Sequence, residues 1–345
     1  MIRNTTERPV HWADRTLSVL RASRLQACEK ELAGMGGPAL FDTEATDADA
    51  ERLFSQSYYA EEEKAVHLHT IEELRLQVLS QLPAEIGLLS EEEFALVLKM
   101  VFLGGDMPIY DWNDLMPARS LIRRMWCRAR PERGAWLHMP RQLCVAALMM
   151  LGNEEMKKVR EITMETIDTV DGTLYLAGMM SSEIVGRDLA FRLQGSLAAD
   201  KPALYRRLIK SAFETVLNRE GRLILVHPGL ADPWRRSPRD PERGNGDWVD
   251  QGSMEELYES LMDMEDPLYD RLLTLIQDLC RPETAAEDTV EDLILLAKQG
   301  APVEEMRQVL GMKIICLPTE EMTDALRDLY ERIPRWFTLN MERVQ

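Results

Sequence analysis

HMPRQLCVAALMML, residues His138 to Leu151, holds nine consecutive apolar residues, Leu143 to Leu151. Pro140 stands where a helix takes its first residue and Gly152 where one stops. A run of this length suits a buried strand or a fully buried helix. Ala146, Ala147, Leu148, Met149 and Met150 are helix formers rather than β-branched residues, which decides for the helix. It is too short to cross a bilayer, which needs about 20 apolar residues. The expectation is therefore a central helix in a predominantly all-α body, built as a multi-helix bundle or an irregular array of helical hairpins.

Helix signals recur on both sides. Upstream, Trp12 to Ala33 places Leu17, Leu20, Leu25, Cys28 and Leu32 near helical spacing. Thr70 with Glu73 and Ser90 with Glu93 are capping-box pairs ahead of apolar stripes, and Pro117 opens an Arg-rich helix. Downstream, Asn153 caps a helix that Asp171-Gly172 should end, and Pro202 starts another reaching Asn218. Gly178, Ser182 and Gly186 lie four residues apart, a spacing that would let a neighbouring helix approach closely. The β-type runs are Leu223 to Val226 and Lys313 to Leu317, predicted to pair as one short ribbon. These signals divide the chain into a helical domain over 1–220, a strand and long Pro/Gly loop over 221–253, and a smaller helical domain over 254–345.

Composition limits the partners. The 345 residues carry a net charge of −18, which opposes wrapping a nucleic-acid backbone. From Met254 to Gln345 there are 21 acidic and nine basic residues, a net charge of −12, so the acidity is concentrated at the end. The five cysteines form no C-x-x-C pair and read as reduced, mostly buried thiols. With no signal-peptide pattern and no long apolar run, a cytoplasmic protein without membrane contact is expected.

Between Arg119 and Arg141 there are seven Arg, no Lys and one acid, Glu132. Guanidinium favours bidentate contact with carboxylate or phosphate, so Arg119, Arg123, Arg124, Arg128 and Arg130 are candidate partner contacts. The alternative is neutralisation inside the chain, with the acidic C-terminal domain as the source of acids, or a solvated helix face. Trp234, Arg235, Arg236 and Trp248 interleave aromatics with Arg in the long loop. Five acids there outnumber the four Arg, which favours docking to protein over stacking on bases.

Asp292 to Leu310 resembles the first two helices of a helix-turn-helix, with Gly300 at the turn, but no basic recognition helix follows. Glu161, Glu165 and Asp168 share a helical face, and Glu165-x-x-Asp168 resembles half the motif of helical nucleoside-triphosphate pyrophosphohydrolases. The Glu-x-x-Glu half is absent upstream. Glu63, His67, His69, Glu72 and Glu73 are the nearest approach to a metal cluster, although His67 and His69 point apart on a helix. Phosphate-loop, dinucleotide, nucleophile-elbow and zinc-protease motifs are missing.

The function expected from sequence is that of a non-enzymatic adaptor or regulator binding a protein partner, with no cofactor or metal. The alternatives are a nucleic-acid-associated protein or acidic DNA mimic, and a magnesium-dependent hydrolase on Glu161, Glu165 and Asp168.

Overall fold

Thr70 and Ser90 start helices as their capping boxes require. Thr70 Oγ1 accepts from Glu73 N at 3.2 Å while Thr70 N donates to the Glu73 carboxylate at 2.8 Å, and Ser90 with Glu93 repeats the arrangement. In the computed structural model the described residues are 40–42, 45–61, 70–109, 114–130, 136–218, 221–230, 269–282, 284–333 and 336. They form twelve α-helices and two three-stranded sheets. None of these helices is long and apolar enough to cross a membrane.

By contact, the described chain divides into two units, and neither is a continuous stretch. One takes residues 40–170 and 185–213, the other 171–184 and 214–336.

In the first unit, α1 is Asp47–Ser55, α2 Ile71–Glu85, α3 Glu91–Phe102, α4 Leu115–Arg123 and α5 Arg141–Leu151. Helix α6, Glu154–Ala177, begins here and ends in the second unit. Helix α7, Ser182–Arg192, brings the chain back, and α8, Pro202–Ala212, completes the unit. Strands β1 (Asp106–Pro108), β2 (Arg128–Ala129) and β3 (Trp136–His138) form a sheet with β3 in the middle. Both pairings are antiparallel, with Asp106 and Arg128 opposite His138. Leu74, Val78 and Leu82 of α2, Leu96, Val97 and Met100 of α3, Leu121 of α4 and Leu143 and Ala147 of α5 meet in one core with Trp126. Gly105 lets α3 close onto the start of α5. Its φ is +100°, its carbonyl accepts from Met139 N at 2.7 Å, and a Cβ would fall 2.3 Å from the Met139 oxygen.

In the second unit, β4 (Met179–Ser181), β5 (Glu214–Leu217) and β6 (Leu223–Val226) form the other sheet, with β6 central and antiparallel to both. Helices α9 (Tyr269–Ile276), α10 (Ala286–Lys298), α11 (Val303–Lys313) and α12 (Glu320–Arg332) enclose a core including Leu293, Met306, Leu310 and Leu326. A smaller cluster packs Trp336 against Met179, Ile224, Val226 and Leu295.

Several expectations are corrected. There are two sheets where at most one ribbon was expected, because β1 to β4 are two or three residues long and show no alternation to read. The segment 223–226 pairs with 179–181 and 214–217, not with 313–317. Lys313 ends α11, and Ile314 makes a single bridge to Cys280. Helix α6 runs through Asp171-Gly172 to Ala177, whereas α8 stops at Ala212 and gives way to β5. Gly178 lies outside both α6 and α7, so it shares no helix face with Ser182 and Gly186.

The thiol expectation holds for Cys127 and Cys144, which are buried, but Cys316 is exposed. Burial pushes the Cys127 thiol well above its ordinary range. In the native protein at pH 8, iodoacetamide should label Cys316 readily and leave Cys127 unmodified until denaturant is added, as read by peptide mass mapping. Gly178 sits at φ +82° with the Trp336 ring where a Cβ would be, 2.7 Å away. Gly178→Ala should therefore destabilise the second unit by about 2 kcal/mol or more, measured by urea unfolding.

Candidate functional site

The Arg-rich segment begins on α4 and is soon drawn inward. The helix stops at Arg123 because Arg124 turns into the core and Met125 adopts φ +58°, a left-handed conformation costing about 1–2 kcal/mol for a non-glycine residue. Met125 and Trp126 are buried, and that burial offsets the backbone cost. The helical continuation expected after Arg123 gives way to this turn and then to β2.

Arg124 is completely buried, an unusual position for a charged side chain. Its Nη1 donates to Glu85 Oε1 at 2.5 Å. Its Nη2 donates to Glu93 Oε1 at 3.3 Å and to Ser211 Oγ at 3.2 Å. From α8, Arg207 Nη1 donates to the same Glu85 oxygen at 3.1 Å, and its guanidinium lies 3.8 Å from the centre of the Tyr59 ring. The Ser90 backbone N–H donates to Glu93 Oε2 at 2.8 Å, so the capping box of α3 also orients a carboxylate toward the core. Two carboxylates and two guanidiniums balance, all within 1% of full burial. Burial alone would lower the Arg124 pKa, but Glu93 and Glu85 outweigh it and hold the guanidinium charged. Burial, then the charge of Glu85, raises the Tyr59 phenol and keeps it neutral.

Arg119, Arg123, Arg128 and Arg130 are half-buried. The Arg123 guanidinium lies 4.2 Å from the Tyr58 ring centre, and the Tyr58 hydroxyl is 3.2 Å from Ser120 Oγ. Arg128 pairs with Asp42 at 3.1 Å. Arg130 reaches Asp106 at 3.4 Å, and His138 Nδ1 lies 3.0 Å from the same carboxylate oxygen. Arg119 is half-buried on α4. Arg124, expected at a partner surface, is thus an internal residue. The acids that pair with Arg124, Arg128 and Arg130 are Glu85, Glu93, Asp42 and Asp106, from the N-terminal part of the chain rather than the acidic C-terminal part considered from sequence.

Helix α5 was expected at the centre and instead lies at the surface of its unit. Leu143, Cys144 and Ala147 face the core, while Val145, Leu148 and Met149 are 49%, 54% and 76% exposed. After Arg141 and Gln142 the run Leu143 to Leu151 conceals its outward face, because no polar residue in it marks that face. The three exposed residues follow i, i+3, i+4 spacing and lie side by side. Phe102 and Leu103 are also exposed at the end of α3, just before the Gly105 contact with the start of α5.

Glu161, Glu165 and Asp168 are exposed on α6, as their spacing predicts, and Glu165 forms an ion pair with Arg192. Glu72 pairs with Arg75, and Glu73 is committed to the Thr70 cap. His67 and His69 lie outside the described residues, as do Trp234, Arg235, Arg236 and Trp248. Among the described residues no group of three or more His, Cys, Asp or Glu is placed to hold a metal ion. Helices α10 and α11 match the two helices read at Asp292 to Leu310, but the next helix, α12, begins Glu320-Glu321 and carries more acids than bases. Comparison with known proteins gives no match, whether to family models, curated proteins or solved structures.

Glu85 and Glu93 are the residues that sequence reasoning missed. For Glu85 the signal was local, an acid in an otherwise apolar setting, LPAEIGLL, where a buried partner is required; Glu93 follows Glu91 and Glu92 and reads only as the end of a capping box. Removing one member of a charge-balanced buried ion cluster leaves the others uncompensated. Arg124→Ala should cost about 3–5 kcal/mol of stability in urea unfolding, whereas Arg130→Ala, at an incompletely buried pair, should cost about 1 kcal/mol or less.

Proposed function

We propose that this chain works by binding another protein chain, as an adaptor or regulator, and that the outward face of α5 is its principal contact. The observation that carries the reading is the exposure of Val145, Leu148 and Met149 as one uninterrupted apolar stripe. Water is a poor neighbour for such a stripe, and apolar groups clustered at a surface mark interaction sites more often than single exposed residues do. Helix α5 is held by side chains of its own opposite face, so covering its outer face requires no rearrangement of the core.

In this reading the Arg-rich segment supports the surface rather than forming it. Arg123, Arg128 and Arg130 position the elements around α5 through Tyr58, Asp42 and Asp106. Trp234, Arg235, Arg236 and Trp248 remain a proposed second contact element, supported by their interleaving of rings and guanidiniums. The overall charge of −18 favours a protein over a nucleic-acid partner.

The test is a photo-cross-linking residue placed at position 148 in the full chain inside cells, with position 158, an exposed lysine on α6, as control. A discrete protein adduct at 148 that is lost with Val145→Glu/Met149→Glu and absent at 158 is expected. No adduct at 148, or equal adducts at both positions, would overturn the reading; a nuclease-sensitive adduct would move it to the nucleic-acid class.

A further inference from the structure

Resting on the reading of α5 as a contact face, we infer that its occupant is a second copy of this chain, docked antiparallel across a two-fold axis. Along α5, Arg141, Val145, Leu148 and Gly152 are spaced four, three and four residues apart, so they share one seam on the helix. All four are exposed.

The charges at its ends point to the orientation. Arg141 opens the helix and makes no ion pair among the described residues; Glu155, in the first turn of α6 just past Gly152, makes none either. Glu154 beside it is already paired with Lys157 at 2.5 Å. An exposed cation outside any ion pair of the described residues therefore stands at the start of the apolar face, and an exposed anion outside any such pair just past its end. A parallel partner would set like charges against each other. An antiparallel partner brings Arg141 of each copy toward Glu155 of the other, twice by symmetry, with Val145 of each copy against Leu148 of the other. Gly152 makes room for this arrangement, since a Cβ there would meet nothing within 4 Å, so the stem of Arg141 can cross it.

The self-complementarity also bears on the net charge of −18, which repels two copies everywhere except over a patch that is locally neutral. The outward face of α5 carries no acid, and Arg141 is its one base. Three exposed apolar side chains on α5 make a small interface by the standard of about 800 Å² per partner for stable dimers. The expected association is therefore in the micromolar range.

The experiment is sedimentation equilibrium of the full chain from about 1 to 200 μM, a range chosen to bracket micromolar dissociation. Wild type should pass from monomer to dimer, and Leu148→Glu should weaken the dimer by about tenfold or more while leaving Tm unchanged at dilutions where both chains are monomeric. Arg141→Glu and Glu155→Arg should each weaken it, and the double reversal Arg141→Glu/Glu155→Arg should restore it, a rescue that only a contact between these two positions gives. A wild-type monomer throughout the range overturns self-pairing. So does a dimer indifferent to Leu148→Glu, or one whose charge reversals do not rescue each other. The cross-link at 148 separates these failures from failure of the contact reading: an adduct with a different protein leaves α5 a contact face and removes the second copy.

Discussion

A guanidinium with no access to water can remain only if its charge is answered inside the protein. Arg124 is answered by Glu85 and Glu93, and Glu85 is shared with Arg207, so four charges from α2, α3, α8 and the end of α4 are held in one place. Taking these ions out of water is expensive, and their value lies less in net stability than in discrimination against incomplete arrangements. Any packing of these helices that separates Arg124 from its carboxylates leaves buried charge unpaired. The cluster thus selects one register among the several ways in which apolar helices of similar composition could pack.

This constraint separates two roles that the sequence places side by side. The basic stretch after Pro117 has the composition of a recognition surface, yet Arg123, Arg124, Arg128 and Arg130 are engaged within the chain by the Tyr58 ring, Glu85, Glu93, Asp42 and Asp106. The apolar stretch that follows has the composition of a core, yet one face of α5 is turned outward. Burial of charge beneath and exposure of apolar surface above are both costly choices. Among the described residues only the buried charges have their compensation visible, which is why the proposed function is placed on α5.

Much of the helical framework was legible in the sequence because its signals are local. Thr70, Ser90 and Thr319 cap helices through their own side chains, Pro202 opens one and Gly152 follows the end of one. What was not legible depends on contacts far apart in the chain. Nothing near Met179 announces a strand, since its pairing partners lie at 223–226, and the turn at Gly178 is made necessary by Trp336. The burial of Arg124 was missed for a related reason. Glu85 and Glu93 lie 39 and 31 residues from Arg124, and a string of arginines does not show which of them will meet such a partner. In α5 the failure is one of pattern, because Leu143 to Leu151 has no polar residue by which inner and outer faces could be told apart.

The most direct measurement is a double-mutant cycle between Arg124 and Glu85, with Arg124→Met, Glu85→Met and the double variant compared by urea unfolding. If the buried pair holds the first unit in register, each single variant leaves a charge uncompensated and the double variant recovers part of the loss, giving a coupling energy of about 2 kcal/mol or more. A coupling within about 0.5 kcal/mol of zero would mean that the two residues act independently, and would contradict a register-setting role for the buried charge cluster.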